Sequence, residues 1–530
     1  LMRSVLPALL RPWLDTFTPT LLGISVTGVS QIIPAMIAGA WIKQQYPNIH
    51  IVVGGSIITR WASEYNELAP LFLKCFDSLI VFEGERPLAM LARVLENKED
   101  FKKVPNLIYM ENHSVIVNSA EKSLDINSLP TPVFDGLPFE QYLSPFLVLP
   151  ILTSRGCYWN KCTFCDHSFI YGNHYSFRSA QNVVNDLEKL TNRYKTRYFA
   201  FSDEAVAPER MRELCIEIQK QKLNLAYVTA IRFESAFEDD KLVESMKASG
   251  LKAVFVGFES GSEITLSAMR KGTSPDKIQN IINKFSKVGI WVHLFVMLGF
   301  PTETEDDYLA TEVFIRNNRS SINSLGASTF GLCRYSYVCR HPDDFHIIVK
   351  DDTSITLPIF YPFQSNFIPE TSIKDRSKRF EMMIQEVFPD HRVWRSLERG
   401  HLLLYLDRFS TEEIQNLDIN RKTAQYSRGD GYLLNPFVSI THTHFDLTSA
   451  NHQTPLSPGD FIMVFNTKNG VLLNLQESLV CAIEQVLEDA NDEVLVRWFE
   501  DNFNIERVDA VKLTTELINS LLDDQILIKN

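Results

Sequence analysis

The stretch RGCYWNKCTFCDHS, residues 155–168, places three of the chain's eight cysteines, Cys157, Cys162 and Cys165, within nine positions. Their spacing is Cys-x4-Cys-x2-Cys, and no second Cys-x2-Cys pair follows. A structural zinc site normally needs four ligands, most often in two pairs. Three grouped thiols therefore predict a metal centre with one open position. In the zinc alternative, His167 would supply the fourth ligand.

The residues after this loop alternate strand-like and helix-like segments, as a βα barrel would. The predicted strands are VLPILTSRG (148–156), RYFAFSDEA (197–205), LAYVTAIRFE (225–234), AVFVGFESG (253–261), WVHLFVMLGFP (291–301) and GASTFGLCR (326–334). This pattern predicts a partial (βα)6 barrel of the TIM type over residues 148–345. In such barrels the chemistry lies at the carboxyl ends of the strands, which is where these runs become polar.

The cysteine loop and the stretch GFESGSEITLSAMRKG (257–272) together resemble the cobalamin-associated branch of the radical S-adenosylmethionine (SAM) enzymes. The usual spacing in that family is Cys-x3-Cys-x2-Cys, so the first gap here is one residue longer. The resemblance implies a [4Fe–4S] cluster held by the three cysteines, with SAM on the fourth iron. One electron from the cluster would cleave SAM to methionine and a 5′-deoxyadenosyl radical, which abstracts hydrogen from an unactivated carbon.

The same resemblance implies a set of SAM contacts, carried over position by position. These are Phe164 at the adenine, Asp203 and Glu204 at the amino group, Arg232 at the carboxylate, and Glu259 with Ser260 at the ribose. For any single acidic residue of this set, a helix cap or a surface charge is the alternative interpretation.

Residues 1–125 contain three apolar runs that turn polar at their ends, TLLGISV (20–26), IHIVVGG (49–55) and FDSLIVFEGE (76–85), with helical segments between them. Such runs predict a parallel sheet covered on both faces, with its ligand at the carboxyl ends of the strands. The residues at those ends are Ser25, Thr27, Gly54, Gly55, Ser56, Glu83, Gly84 and Glu85. The alternative for the two adjacent glycines is a simple tight turn.

This order of strands resembles the flavodoxin-like or Rossmann-like cobalamin-binding domain that precedes many radical SAM enzymes. The resemblance implies that the eight strand-end residues contact cobalamin. The sequence lacks a recognisable first strand and the Asp-x-His-x-x-Gly motif, so no side chain is nominated to ligate cobalt from below. Because the chain opens at Leu1 rather than at an initiator Met, we expect this domain to be incomplete at its start.

The remaining segments are a proline-punctuated linker (126–147), a mainly helical extension (346–455) and a small winged helix (456–530) that begins with a hairpin over 461–475. The last segment resembles the PqqD-like domains that recognise leader peptides. Residues 461–530 carry 5 Lys or Arg against 13 Asp or Glu, which argues against DNA binding. We expect a leader peptide to add a strand to an exposed edge at FIMVF (461–465).

Composition limits the partners and the compartment. A net charge of −13 argues against nucleic acid as a default partner. The apolar run 21–42 is long enough for a membrane span but contains polar residues and a proline, so it predicts a buried strand and helix. Few cysteines and no secretory signal predict a cytoplasmic protein.

Together these features predict a cytoplasmic, cobalamin-dependent radical SAM C-methyltransferase. Its expected substrate is a ribosomally made peptide, and flavodoxin or ferredoxin would supply the electron. One alternative is rearrangement or cyclisation of a small molecule by the same cofactors. Another is a non-catalytic, zinc-containing peptide-binding protein.

Overall fold

The computed structural model describes residues 2–61, 65–121, 124–139, 142, 144, 146–350, 360–366, 370–388, 399–410, 432–434, 438–445, 458–466, 471–489, 492–524 and 526–529. The chain divides into two compact units. The larger unit lies within 1–133, 148–391 and 398–411, and the smaller lies within 134–147, 392–397 and 412–530.

The front part of the larger unit is a five-stranded sheet preceded by the helix Met2–Phe17. In order across the sheet, its strands are Leu21–Ser25, His50–Gly54, Ser78–Ile80, Leu107–Glu111 and Ser114–Val117. The first three are parallel, as the apolar runs predict, whereas the last two form an antiparallel hairpin. The hairpin turns at Asn112 and His113, whose φ angles of 48° and 63° belong to a two-residue turn of the primed type.

Both faces of this sheet are covered, because successive side chains of each strand point to opposite sides. Ile51, Val53 and Leu79 pack on one side with residues of the helices Met2–Phe17, Ile32–Gln45, Ser56–Arg60 and Tyr65–Phe72. Val52 and Ile80 pack on the other side with the helix Glu85–Asn97. The carboxyl ends of the three parallel strands therefore share one edge.

The second part is a six-stranded sheet that is parallel throughout and follows the order of the chain. Its strands are Val148–Ile151, Tyr198–Phe201, Ala226–Ile231, Leu251–Glu259, Trp291–Leu298 and Ser324–Thr329. Within the described chain the first and last strands are not paired, so the barrel is open on one side. The partial (βα)6 barrel expected from the sequence is confirmed.

Helices connect these strands, and side-chain caps fix where several of them begin. The barrel helices are Ala180–Tyr194, Pro208–Lys220, Asp240–Ala248, Glu263–Ala268, Pro275–Lys287 and Glu305–Asn317. Ser179, Ser262, Ser274 and Thr304 each accept a backbone N–H at a helix start. All six residues of Ala226–Ile231 are buried, so this strand lies wholly within the barrel core.

Described residues within 332–388 and 399–410 complete the larger unit with short strands and three α-helices. The strands are Leu332–Cys333, Ile347–Val349, Phe360–Tyr361 and Phe363–Ser365, and the helices are Tyr337–Arg340, Glu370–Val387 and Arg399–Arg408. The segment 346–455, expected to be mainly helical, also contains the eight-residue strand Val438–Phe445, which belongs to a sheet of the smaller unit.

The described residues of the smaller unit form a three-stranded antiparallel sheet, a separate strand pair and three helices. Its elements are the strands Val438–Phe445, Pro458–Asn466 and Leu472–Leu475, the helices Glu477–Asp489, Glu493–Phe503 and Arg507–Asp523, and a separate strand pair of Tyr432–Leu434 with Leu527–Lys529. The strands flanking 467–470 pair as the expected hairpin, and those four residues lie outside the described chain.

The expectation that FIMVF forms an exposed edge is wrong. The strand Pro458–Asn466, which contains it, is paired on one side with Val438–Phe445 and on the other with Leu472–Leu475. Among the described residues, Val438–Phe445 and Leu472–Leu475 are the edges of this sheet. No helix in the described part of the chain has both the length and the apolar character required to span a bilayer.

Candidate cluster and cofactor sites

The cysteine loop leaves the barrel between two short paired strands, Ser154–Arg155 and Ser176–Phe177. Gly156 has a φ of +78°, and a Cβ there would stand 2.4 Å from the carbonyl oxygen of His174, so only glycine fits. Further along, the Thr163 amide donates to the Met269 carbonyl at 3.0 Å, and the Thr163 carbonyl accepts from the Val338 amide at 3.0 Å. The middle of the loop is thus hydrogen-bonded to two other segments of the larger unit.

The three thiols lie half-buried on this loop and within electrostatic reach of one another. Burial, together with the neighbouring Cys162 and Cys157 thiols, raises the pKa of the Cys165 thiol to about 12. Arg232 Nη1 donates to Cys162 Sγ at 3.6 Å. Three thiols on one loop match the donor set of a [4Fe–4S] cluster with one open iron.

The described residues do not contain a preformed metal site made by three or more His, Cys, Asp or Glu side chains. In particular, His167 Nδ1 lies 3.2 Å from Glu204 Oε1, and this neighbouring carboxylate raises the pKa of His167. The pairing gives His167 a partner other than the thiols. It weakens the zinc alternative, which needs that imidazole as a fourth ligand.

Arg232 lies in a group of charges beside Cys162. Its guanidinium is 3.2 Å from Glu234 Oε1, contacts the Lys271 carbonyl, and stands 4.4 Å from the centre of the Trp159 ring. Lys271 Nζ lies 2.6 Å from Glu259 Oε1. Burial lowers the pKa of Lys271, but Glu259 and Cys162 together raise it above its ordinary value. Two expected SAM contacts, Arg232 and Glu259, are therefore joined through Lys271.

Asp203 and Glu204, expected to act together on the SAM amino group, have different surroundings. Asp203 is buried and accepts hydrogen bonds from Thr153 Oγ1 at 2.7 Å and from Ser154 Oγ at 2.6 Å. Burial raises the pKa of Asp203 even though these hydrogen bonds oppose the shift. Asp203 thus ties the end of the first barrel strand, just before the cysteine loop, while Glu204 is exposed and paired with His167.

The other two expected SAM contacts also have partners within the protein. Ser260 Oγ is 3.1 Å from Thr311 Oγ1 and accepts from the Ser262 amide at 3.1 Å, so its hydroxyl supports the local turn. Phe164 packs with buried apolar residues of the barrel, and Lys271 Nζ lies 5.6 Å from the centre of its ring. The structure therefore gathers Phe164, Arg232 and Glu259 around Lys271.

Sequence reasoning missed Lys271 and Trp159. Lys271 lies in the quoted motif between Arg270 and Gly272, yet a lysine on a predicted helix end is ordinarily a solvated charge. Trp159 lies in the lengthened gap between Cys157 and Cys162 and packs directly on Gly272, where a Cβ would stand 2.3 Å from its ring. Among the sequence features, the added residue in that gap is the signal that could have pointed to it.

The front domain carries a cleft of about 620 Å³ that is lined by all eight predicted strand-end residues. The cleft is also lined by Leu152, Arg155, Ile170 and Tyr171 of the second part. Gly55 has a φ of +109°, and a Cβ there would stand 2.4 Å from the Val26 carbonyl oxygen. At Gly23 a Cβ would meet no atom within 4 Å, so a side chain there would extend into open space beside the sheet. The cleft thus offers a bare backbone surface suited to a flat ligand.

Ion pairs join the cysteine loop to the front domain at both of its ends. Arg155 Nη1 lies 2.8 Å from Glu83 Oε1, and the same guanidinium contacts Glu85. Asp166, directly after Cys165, contacts Arg60. The side chains of Arg155 and Glu83 are 14% and 13% exposed, so this pair is largely removed from water. The loop that carries the thiols is therefore attached to the front domain by charged side chains on both sides of the cysteines.

Comparisons with known proteins agree with this geometry. Residues 151–315 match the radical SAM superfamily. The chain is 27% identical over 57% of its length to an uncharacterised methyltransferase of Pyrococcus horikoshii, of which the match spans 64%.

Two solved structures share the fold. The cobalamin-dependent S-adenosylmethionine radical enzyme OxsB with aqua-cobalamin bound superposes with a TM-score of 0.60 at 16% identity, over 78% of this chain and 66% of that one. The radical S-adenosylmethionine methyltransferase TsrM of Kitasatospora setae, with cobalamin and a [4Fe–4S] cluster bound, gives 0.55 at 18% identity, over 66% of this chain and 73% of that one. Residues 151–315 of this chain are therefore a radical SAM domain, built in a fold that the chain shares with two cobalamin-dependent radical SAM enzymes.

Proposed function

We propose that the chain is a cobalamin-dependent radical SAM enzyme that methylates an unactivated carbon. The observation that carries this proposal is the single cleft lined by all eight strand-end residues of the front domain. Arg155 lines that cleft and stands two residues before Cys157, so a ligand there would border the loop that holds the thiols. The methyltransferase name of the Pyrococcus relative supports methylation as the reaction.

A radical SAM domain holds a [4Fe–4S] cluster and SAM, and we assign Cys157, Cys162 and Cys165 as the cluster ligands. The bound cluster supplies the electron that cleaves SAM. Arg232 donates a hydrogen bond to Cys162 Sγ at 3.6 Å and so would help to orient this ligand. Lys271 and Glu259 form a buried pair beside it that fixes both side chains in place.

For cobalamin we assign the front cleft, with the glycines 23, 54 and 55 letting a flat ring approach the backbone. The cleft lining contains no histidine among the described residues, in keeping with the missing Asp-x-His-x-x-Gly motif. The corrin would therefore be held without a protein imidazole on cobalt. The fold shared with two cobalamin-bound structures supports this assignment.

The cleft assignment is tested by filling it. In Gly23→Leu the new side chain would enter the space that the ring needs, so retention of hydroxocobalamin in equilibrium dialysis should fall at least about tenfold. Iron and sulfide content should stay unchanged. Ser114→Leu is the matched control, because Ser114 is exposed on the edge strand of the same sheet and lies outside the cleft. Equal retention by both variants would contradict the assignment.

The cluster assignment is tested by changing each cysteine to alanine in turn. Each variant should contain less iron and sulfide than the parent protein and should fail to cleave SAM. Zinc in place of iron in the purified protein would favour the non-catalytic alternative. Transfer of a labelled methyl group from SAM separates methylation from the alternative of rearrangement or cyclisation.

We further propose that the substrate is a peptide whose leader adds a strand to the smaller unit. The corrected edge for this addition is Val438–Phe445, which pairs on one side only among the described residues. Successive N–H groups of a strand point to opposite sides, so Ile440→Pro and Thr441→Pro remove one inward and one outward donor. The variant that lacks the N–H group pointing away from Pro458–Asn466 should lose turnover of a leader-bearing peptide and keep its thermal stability. Full turnover by both variants would refute leader capture at this edge.

A further inference from the structure

A second cleft, of about 1080 Å³, opens beside the cysteine loop and is separate from the front cleft assigned to cobalamin. Cys162 and Cys165 line it. None of the six side chains expected to contact SAM lines it, that is, Phe164, Asp203, Glu204, Arg232, Glu259 and Ser260. Its walls come from three segments of the larger unit, within 159–173, 263–277 and 335–340. Its volume is at the upper end of the range for small-molecule sites, roughly 300–1000 Å³.

The cleft is rich in positive charge within a chain whose net charge is −13. Its cationic side chains are Lys161, Arg270, Lys277 and Arg340, and its acidic ones are Asp166 and Glu263. Asp166 is already neutralised by Arg60. Across the described chain, none of these four cations lies within 4.0 Å of a carboxylate oxygen. An anion in the cleft would therefore meet unneutralised charge.

Aromatic rings, not carboxylates, hold two of these cations in place. The Arg270 guanidinium lies 4.0 Å from the centre of the Tyr337 ring, and Lys161 Nζ lies 4.8 Å from that of Trp159. A ring face stabilises a cation without cancelling its charge for a ligand. The capped start of the thirteen-residue helix Pro275–Lys287 also borders the cleft at Ser274, and its amides add partial positive charge.

The lining also contains a stacked aromatic pair. Phe169 and Tyr335 stack with ring centres 3.6 Å apart and planes 10° apart, and both line the cleft. Cations together with a stacked aromatic pair would recognise a planar or apolar body that carries a negative group. A broad protein surface needs no such enclosed volume.

We infer that this cleft binds the reacting substrate and selects one with a carboxylate or phosphate next to a planar or apolar group. The inference rests on the proposed function, since it names the substrate class of the same radical site. Cys162 and Cys165 place the cleft directly against the cluster loop. An acidic residue beside an aromatic one in a peptide meets this description, as does a small aromatic acid.

The test uses the full, anaerobically reconstituted protein and three probes: 1-naphthoate, the neutral 1-naphthylmethanol, and inorganic pyrophosphate as a competitor. In equilibrium dialysis, 1-naphthoate should bind at least about tenfold more tightly than the alcohol, and pyrophosphate should displace it. The double variant Arg270→Gln with Lys277→Gln should abolish this preference. Lys241→Gln, an exposed lysine of the helix Asp240–Ala248, is the control and should behave as the parent.

Equal binding of the charged and neutral probes, or an unchanged preference in the double variant, would overturn the inference. So would a loss of SAM retention in the double variant, because the cleft would then belong to SAM. A raised KM for reduced flavodoxin with unchanged 1-naphthoate binding would instead make it an electron-donor surface. Iron, sulfide and hydroxocobalamin content of the same samples shows separately whether the proposed function fails.

Discussion

The ion pair between Arg155 and Glu83 offers a direct test of how the front domain controls the cysteine loop. Arg155→Met keeps the length of the side chain but removes its charge. It leaves the Glu83 carboxylate, 13% exposed, without its partner at 2.8 Å. Glu83 Oε2 also accepts from the Leu124 amide at 2.7 Å, so Glu83→Gln keeps that acceptor and removes only the charge. The two changes can therefore be combined in a double-mutant cycle.

The expected magnitude follows from the burial of the pair. Removing one partner of a buried ion pair typically costs about 3–5 kcal/mol, because the remaining charge is left desolvated. Here the second acceptor, Glu85, is 42% exposed and solvent screens it, so we count only Glu83. Allowing for the partial exposure of the pair, the coupling energy of the cycle should be roughly 1–3 kcal/mol. This corresponds to a factor of roughly 5 to 150 in a local opening equilibrium.

Hydrogen exchange of peptides covering residues 154–170 measures that opening. Arg155→Met should speed exchange there by the factor given above, and adding Glu83→Gln should recover much of the loss. Arg212→Met is the control, since its pair with Asp239 at 3.1 Å is exposed, at 47% and 40%, and is expected to contribute less than about 1 kcal/mol. If exchange in the loop is unchanged in Arg155→Met, or if the two changes are additive, the front domain does not hold the loop through this pair.

Three further predictions concern single positions. Gly272→Ala should displace Trp159, because a Cβ would stand 2.3 Å from its ring, and tryptophan emission should shift on substitution. Asp203→Ala should lower the free energy of unfolding by about 1–3 kcal/mol, since two buried hydroxyls lose their acceptor; equal denaturation midpoints would contradict this. Burial raises the pKa of Glu303 to about 7, despite Arg376 at 3.1 Å. Because the folded protein holds this proton more tightly than the unfolded chain, the protonated Glu303 contributes its full stabilisation below about pH 4, and this contribution is lost as the pH rises through 7. Glu303→Gln should remove this part, roughly 3 kcal/mol, of the pH dependence of thermal unfolding.

The sequence alone could predict which edge of each parallel sheet carries the candidate functional residues. Apolar runs that turn polar mark where parallel strands end, and parallel strands of one sheet end on the same side. For this reason the eight residues from Ser25 to Glu85, chosen only because they follow such runs, line a single cleft. The six barrel strands follow for the same reason, since each is bounded by turn residues and a helical segment.

Side-chain partners could not be predicted in the same way. Asp203 and Ser260 both follow barrel strands, as catalytic residues do, yet each is hydrogen-bonded to a hydroxyl group about 50 positions away in the chain, Ser154 for Asp203 and Thr311 for Ser260. Which of several nearby donors a carboxylate or hydroxyl meets depends on distances of less than 1 Å that sequence spacing does not determine. Lys271 was missed for a related reason, because its buried partner Glu259 comes twelve positions earlier on a different element.

The sequence by itself determined the three-thiol loop, the parallel strands and the edges at which their polar residues lie. These features depend on local periodicity and on turn-forming residues, both of which involve only neighbouring positions. Only the tertiary structure decided that Arg155 meets Glu83, 72 positions away, and that Pro458–Asn466 is a central strand. Periodicity shows that a segment is a strand, but it does not show how many neighbours pair with it. That number depends on which distant segments return to the same sheet, and here Val438–Phe445 returns to cover the expected edge.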